Sequence, residues 1–236
     1  MKTVNRNSII SEKSKYNKNA ISARDMRKIA MILKYINITN TSDMFDKNIV
    51  VGILNKLDND NKDLISQDIL KHIGDNKESV TDLFNVIFNN MLQQKKYADN
   101  YVYILRVLQT RFHEEINNSV QKNTKTFMDI IKKLDSYVID INGYSIFLAK
   151  CVNFNLISPS ILNNIIIDLI SHSVEYRDNN LQNLIDALFN IIYNLEKKHI
   201  LNNKSLLEKI KDIKNNQPIN NKSKFQLMDI IDILSG

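Results

Sequence analysis

Residues 79–112, "SVTDLFNVIFNNMLQQKKYADNYVYILRVLQTRF", decide the fold class. Apolar residues recur at Leu83, Phe84, Ile87, Phe88 and Met91, a polar break follows, and a second stripe runs through Tyr97, Tyr101, Leu105 and Leu108. Residues three and four apart share one face of a helix, so the stretch predicts two amphipathic helices joined by a short turn. The same reading extends outward to helices over about 22–37, 42–57, 61–73, 77–94, 97–112, 123–139, 142–155, 159–172, 178–198, 203–215 and 222–234. Four glycines and two prolines in 236 residues leave few breaks, and no alternating apolar run reads as a strand. Gly74 is placed to close one helix, Ser158-Pro159 to open another, and "NNQP" to separate the last two. The class is all-α. Short loops between such helices make antiparallel hairpins, and hairpins stacked in a row form a HEAT-type solenoid, with a closed helical bundle as the alternative.

Charge divides the chain. Residues 1–28 hold eight basic groups (Lys2, Arg6, Lys13, Lys15, Lys18, Arg24, Arg27 and Lys28) against Glu12 and Asp25, which accounts for the whole net charge of +6. The remainder is balanced, so residues 1–21 read as a basic flexible arm and 22–236 as one solenoid domain. Those eight cations suit a polyanion such as RNA, and a solvated tail that aids solubility is the plainer alternative.

Signs of chemistry are few. The single cysteine, Cys151, excludes an internal disulfide framework and lies in the apolar run "IFLAKCVNF", where it reads as a small core residue rather than a nucleophile. His72, His113, His172 and His199 are scattered, and none belongs to a two-histidine metal motif. No glycine-rich phosphate loop or nucleophile elbow is present, and the carboxylates at 58–60 and 114–115 read as helix caps and solvated charge. No catalytic residue, metal or cofactor is implied, and an interaction protein is favoured over an enzyme. The N-terminus lacks a signal-peptide core and no segment reaches the length of a membrane span, so the expectation is a soluble, cytoplasmic protein. The abundance of asparagine and isoleucine is what an AT-rich genome produces.

Four motifs occur in an order that resembles the middle domain of the scaffold (gamma) subunit of eukaryotic translation initiation factor 4, in a virus- or protist-encoded version. They are Ile53-Leu54-Asn55-Lys56-Leu57; Leu83-Phe84 and Ile87-Phe88 followed by Tyr97, Tyr101 and Leu108; Gly143 and Phe147 in "INGYSIFLAKCVNFNLIS"; and Phe225, Leu227, Asp229 and Asp232 in "SKFQLMDIIDILSG". The resemblance covers about residues 43–234 and implies five HEAT-type hairpins acting as a clamp on a DEAD-box RNA helicase, with RNA and other initiation factors as further partners and no membrane. The helicase contacts it suggests are Asn55, Lys56, Asp58 and Asp60 at the first turn and Lys224, Asp229 and Asp232 in the last helix; helix capping and surface solvation are the ordinary alternative. Tyr16 is the nearest aromatic to the tryptophan that relatives carry ahead of the first repeat. The cap-binding motif Tyr-x-x-x-x-Leu-apolar has no match here. Two other readings stay open: a related scaffold in mRNA decay, splicing or poly(A)-binding regulation, and a non-enzymatic helical effector that binds a host protein.

Overall fold

The structure is a computed structural model that describes residues 45–132, 140–175, 178–199 and 204–235. The basic arm and the helix expected over 22–37 lie outside the described residues. So do the domain boundary at 21/22, Tyr16 and all eight basic candidates. Among the described residues there are ten α-helices and no strand: α1 (Lys47–Leu54), α2 (Lys62–Ile73), α3 (Val80–Gln93), α4 (Ala98–Gln109), α5 (His113–Lys132), α6 (Ile141–Asn153), α7 (Pro159–Glu175), α8 (Asp178–Asn194), α9 (Lys204–Asn216) and α10 (Asn221–Ser235). Single 3-10 turns precede α4 at Lys95–Tyr97 and follow α8 at Lys197–His199.

The packing order identifies the architecture. Each odd helix packs on the even helix that follows it, giving five hairpins. Odd helices also pack on the next odd helix, and even on the next even, so the hairpins stack as two parallel rows. The second hairpin shows why. In α3, Val80, Leu83, Phe84, Val86, Ile87, Phe88 and Met91 are buried, a stripe too wide for one neighbour to cover. Phe88 meets Phe147 at 4.9 Å and Tyr144 at 5.0 Å between ring centroids, and Phe84 meets Phe147 edge-on, so α6 of the third hairpin covers what α4 leaves open.

Helix ends follow their local chemistry. Asp46 caps α1, its carboxylate accepting from the Asn48 amide at 2.8 Å, and Asp140 caps α6 by accepting from Gly143 at 2.9 Å. Gly74 ends α2 at φ +56°, which a side chain would resist. Asn155 turns the chain beyond α6 at φ +58°, and the Leu156 amide donates back to the Cys151 carbonyl. Pro159 occupies the first position of α7.

One helix departs from the sequence reading. α5 begins at His113, ten residues before the expected 123, and there is no long loop after α4. Residues 113–122 offer only Ile116 and Val120 as apolar anchors, but Ser119 and Thr124 are also buried, and Thr124 returns its hydroxyl to the Val120 carbonyl. Small polar residues fill the core there, so the hydrophobic period fades although the helix continues. Glu114 and Glu115 lie in its first turn, where the helix dipole favours carboxylates.

The even row is also tied by polar links at each step. Tyr103 of α4 donates to Asp63 of α2, Lys150 of α6 pairs with Asp99 of α4 at 2.9 Å, Asn190 of α8 donates to Asn142 of α6 at 2.9 Å, and Lys222 of α10 pairs with Asp186 of α8 at 2.8 Å. These partly exposed links add modestly to the apolar contacts between the helices.

Candidate functional site

Two groups of candidate residues lie within the described array, at its opposite ends. The first is the turn of hairpin one. After Leu54 the chain needs an abrupt reversal, and "NKLDNDN" provides it through side-chain bonds. One carboxylate oxygen of Asp58 accepts from the amides of Asp60 and Asn61, both at 2.9 Å, and the Asn61 side chain accepts from the Asp58 amide and donates to the Lys56 carbonyl. Asp58 therefore acts as the pin of the turn. Asn55, Lys56 and Asp60 are exposed around it.

The second group is on α10. Ser223, Leu227, Ile230 and Leu234 form its buried stripe. The helical period then turns Phe225, Met228, Asp229 and Asp232 away from the core, and all four are exposed, Phe225 to 65% and Met228 to 45%. Lys224 is exposed in the first turn. Lys224, Asp229 and Asp232 follow from the sequence, where Phe225 enters only as a family marker and Met228 does not enter at all. A signal for both was present: residues 223, 227, 230 and 234 define one face, and 225 lies nearly opposite it. Exposed aromatic and methionine side chains bordered by polar residues are a frequent composition of a contact surface. On the neighbouring even helix, Tyr193 is 66% exposed and stacks on Phe189 at 5.3 Å.

The two groups do not converge. Three hairpins separate them, and with helices packed about 8–10 Å apart the array places them roughly 32–40 Å from each other along its length. Lys224 lies in the first turn of α10, at the same edge of the array as the turn of hairpin one, since both adjoin turns within hairpins. Asp229 and Asp232 follow about 8 and 12 Å along the helix. The candidate residues thus form two separated groups.

Burial pushes the Cys151 thiol well above its ordinary range, and burial likewise raises the Tyr101 and Tyr144 phenols. Cys151 is fully buried, as its apolar surroundings predict. Among the described residues no three of His, Cys, Asp or Glu gather in a metal-binding group, and no helix is long and apolar enough to cross a membrane.

Five stacked hairpins with these landmarks match a known family model, the MIF4G domain, over residues 47–235. The chain belongs to the MIF4G domain family. That domain is an all-helical, HEAT-like solenoid, present in the middle region of the initiation-factor scaffold and in related scaffolds of translation, mRNA decay and splicing. The matched span coincides with α1 to α10. The chain is also 26% identical over 195 residues to Protein PFC0760c of Plasmodium falciparum, an alignment covering 76% of this chain and 6% of that protein. The chain thus spans a small fraction of that relative's length.

Proposed function

We propose that this MIF4G domain is a two-ended scaffold that binds a DEAD-box RNA helicase of the initiation-factor type and raises its ATPase turnover. The observation that carries the reading is the outward face of α10, where Phe225 and Met228 are exposed beside Asp229 and Asp232 on the last hairpin, far along the array from the exposed first turn. A helicase of this class has two globular domains. A rigid body that touches one domain with Asn55, Lys56 and Asp60 and the other with α10 would favour one orientation of the pair. Only such differential affinity shifts a conformational equilibrium, because equal affinity for all orientations changes nothing. Catalysis would belong to the partner.

The apolar pair supplies the area and the acids supply the selectivity, so the matching helicase surface would be an apolar patch bordered by lysine or arginine. RNA contact is assigned to the basic N-terminal stretch, with Lys2, Arg6, Lys13, Lys15 and Lys18 of the arm and Arg24, Arg27 and Lys28 beyond it in sequence as the cations, and Tyr16 joins the helicase contact. The test is a pull-down from native lysate with and without RNase. A DEAD-box helicase retained after RNase supports the reading. Its absence, with a different host protein retained, would replace it by the effector reading.

A further inference from the structure

We propose that Asn100, a buried residue of the second hairpin, is the positioning residue for the contact turn of the first, an inference that rests on the helicase-binding reading. Asn100 lies in the first turn of α4 and is 5% exposed. Its amide nitrogen donates to the Asp58 carbonyl at 3.0 Å and to the Asn59 side-chain oxygen at 3.1 Å, 42 and 41 residues back in the chain. The Asp58 and Asn61 bonds close the turn on itself. The bonds from Asn100 are different, because they fix the closed turn to the next hairpin and so set where Lys56 and Asp60 point. A turn held only by its own exposed bonds samples other arrangements, and apparent affinity falls in proportion to the fraction of time the competent arrangement is populated. Asn100 therefore raises that fraction without touching the partner.

The same device occurs elsewhere and provides the control. Asn153 of α6 donates to the Asn194 carbonyl at 2.8 Å and accepts from the Glu196 amide at 3.0 Å, tying down the chain that leaves α8. That lock is at the opposite edge of the array and adjoins neither proposed contact.

The experiment compares the full chain with its Asn100→Ala, Asn59→Ala and Asn153→Ala variants. Two quantities are read: amide exchange across 58–61, and the scaffold concentration giving half-maximal stimulation of a recombinant DEAD-box helicase ATPase. Asn100→Ala is expected to speed exchange at 58–61 and raise the half-maximal concentration by about five- to a hundred-fold, two hydrogen bonds being lost, with maximal stimulation unchanged. Asn59→Ala, at an exposed site that cannot unfold the core, should move both in the same direction by less. Asn153→Ala should soften only the region beyond α8. Equal effects of Asn100→Ala and Asn153→Ala on the half-maximal concentration, or unchanged exchange at 58–61, would overturn the proposal. If the unmodified chain stimulates no such helicase, the contact role falls with the reading beneath it, while the exchange measurement still decides whether Asn100 holds the turn.

Discussion

Gly143 illustrates how much one residue can decide. It is buried at the start of α6, and a Cβ there would meet Leu92 Cδ2 at 2.5 Å and Asp140 Oδ2 at 2.7 Å. Asp140 is the cap of α6 and also pairs with Lys95 at 2.7 Å, so the clash strikes the joint between the second and third hairpins. Gly143→Ala is expected to cost about 1–3 kcal/mol, as overpacking does, read as a lower midpoint in denaturant. Tyr101 makes the opposite prediction. Its hydroxyl is buried with no hydrogen-bond partner, so Tyr101→Phe should leave stability unchanged or raise it by about 1 kcal/mol. A clear loss on thermal melting would show that the hydroxyl has a partner, such as a bound water. Both residues stand out in the sequence as family markers. Why glycine is required at 143 was not legible there, because the reason is a neighbour on another hairpin, Leu92 of α3.

At the scale of elements, α3 and α10 carry similar sequence patterns with different consequences. Every large apolar residue of α3 from Val80 to Met91 is buried, so Phe88→Ala should cost about 3–5 kcal/mol and appear as lost helicity. Phe225 belongs to an amphipathic helix too, but it faces outward, and Phe225→Ala should leave the circular dichroism unchanged while weakening helicase binding. Charge reversal at Lys224 and Asp229 should likewise alter stability by no more than about 0.5 kcal/mol. Helix existence and order were legible throughout the described residues, since period and breakers determine them. The start of α5 was not, because Ser119 occupies a core position that a hydrophobicity pattern leaves blank and only Ile116 and Val120 mark the missed stretch. The outward face of α10 was only half legible: charges announce exposure by their nature, whereas an exposed phenylalanine is revealed only by the stripe on the other side of its helix.

For the whole molecule, one buried thiol and two phenols shifted by burial weaken the fold at alkaline pH. Burial raises the Cys151 pKa in the folded chain above its ordinary 9.0, and raises Tyr101 and Tyr144 above 10.0. An acid whose folded pKa is raised keeps its proton longer in the folded state, so stability is intact below the ordinary value and declines as pH rises past it. Melting temperature should therefore fall above about pH 9, with Cys151 contributing about 1.4 kcal/mol per pH unit, and Cys151→Ala should move the onset toward about pH 10. If the arm binds RNA, deleting residues 1–20 should weaken single-stranded RNA binding and reduce its log-log salt slope by about 0.7 for each phosphate no longer neutralised. On the proposed reading, five stacked hairpins hold two exposed contacts apart so that one helicase orientation is favoured. The most direct test is the ATPase rate of an initiation-factor-type DEAD-box helicase titrated with the chain and with its Phe225→Ala/Met228→Ala variant. The account predicts saturable stimulation by the former, and by the latter an absence of stimulation with unchanged circular dichroism. No stimulation by the unmodified chain, or equal stimulation by both, would contradict it.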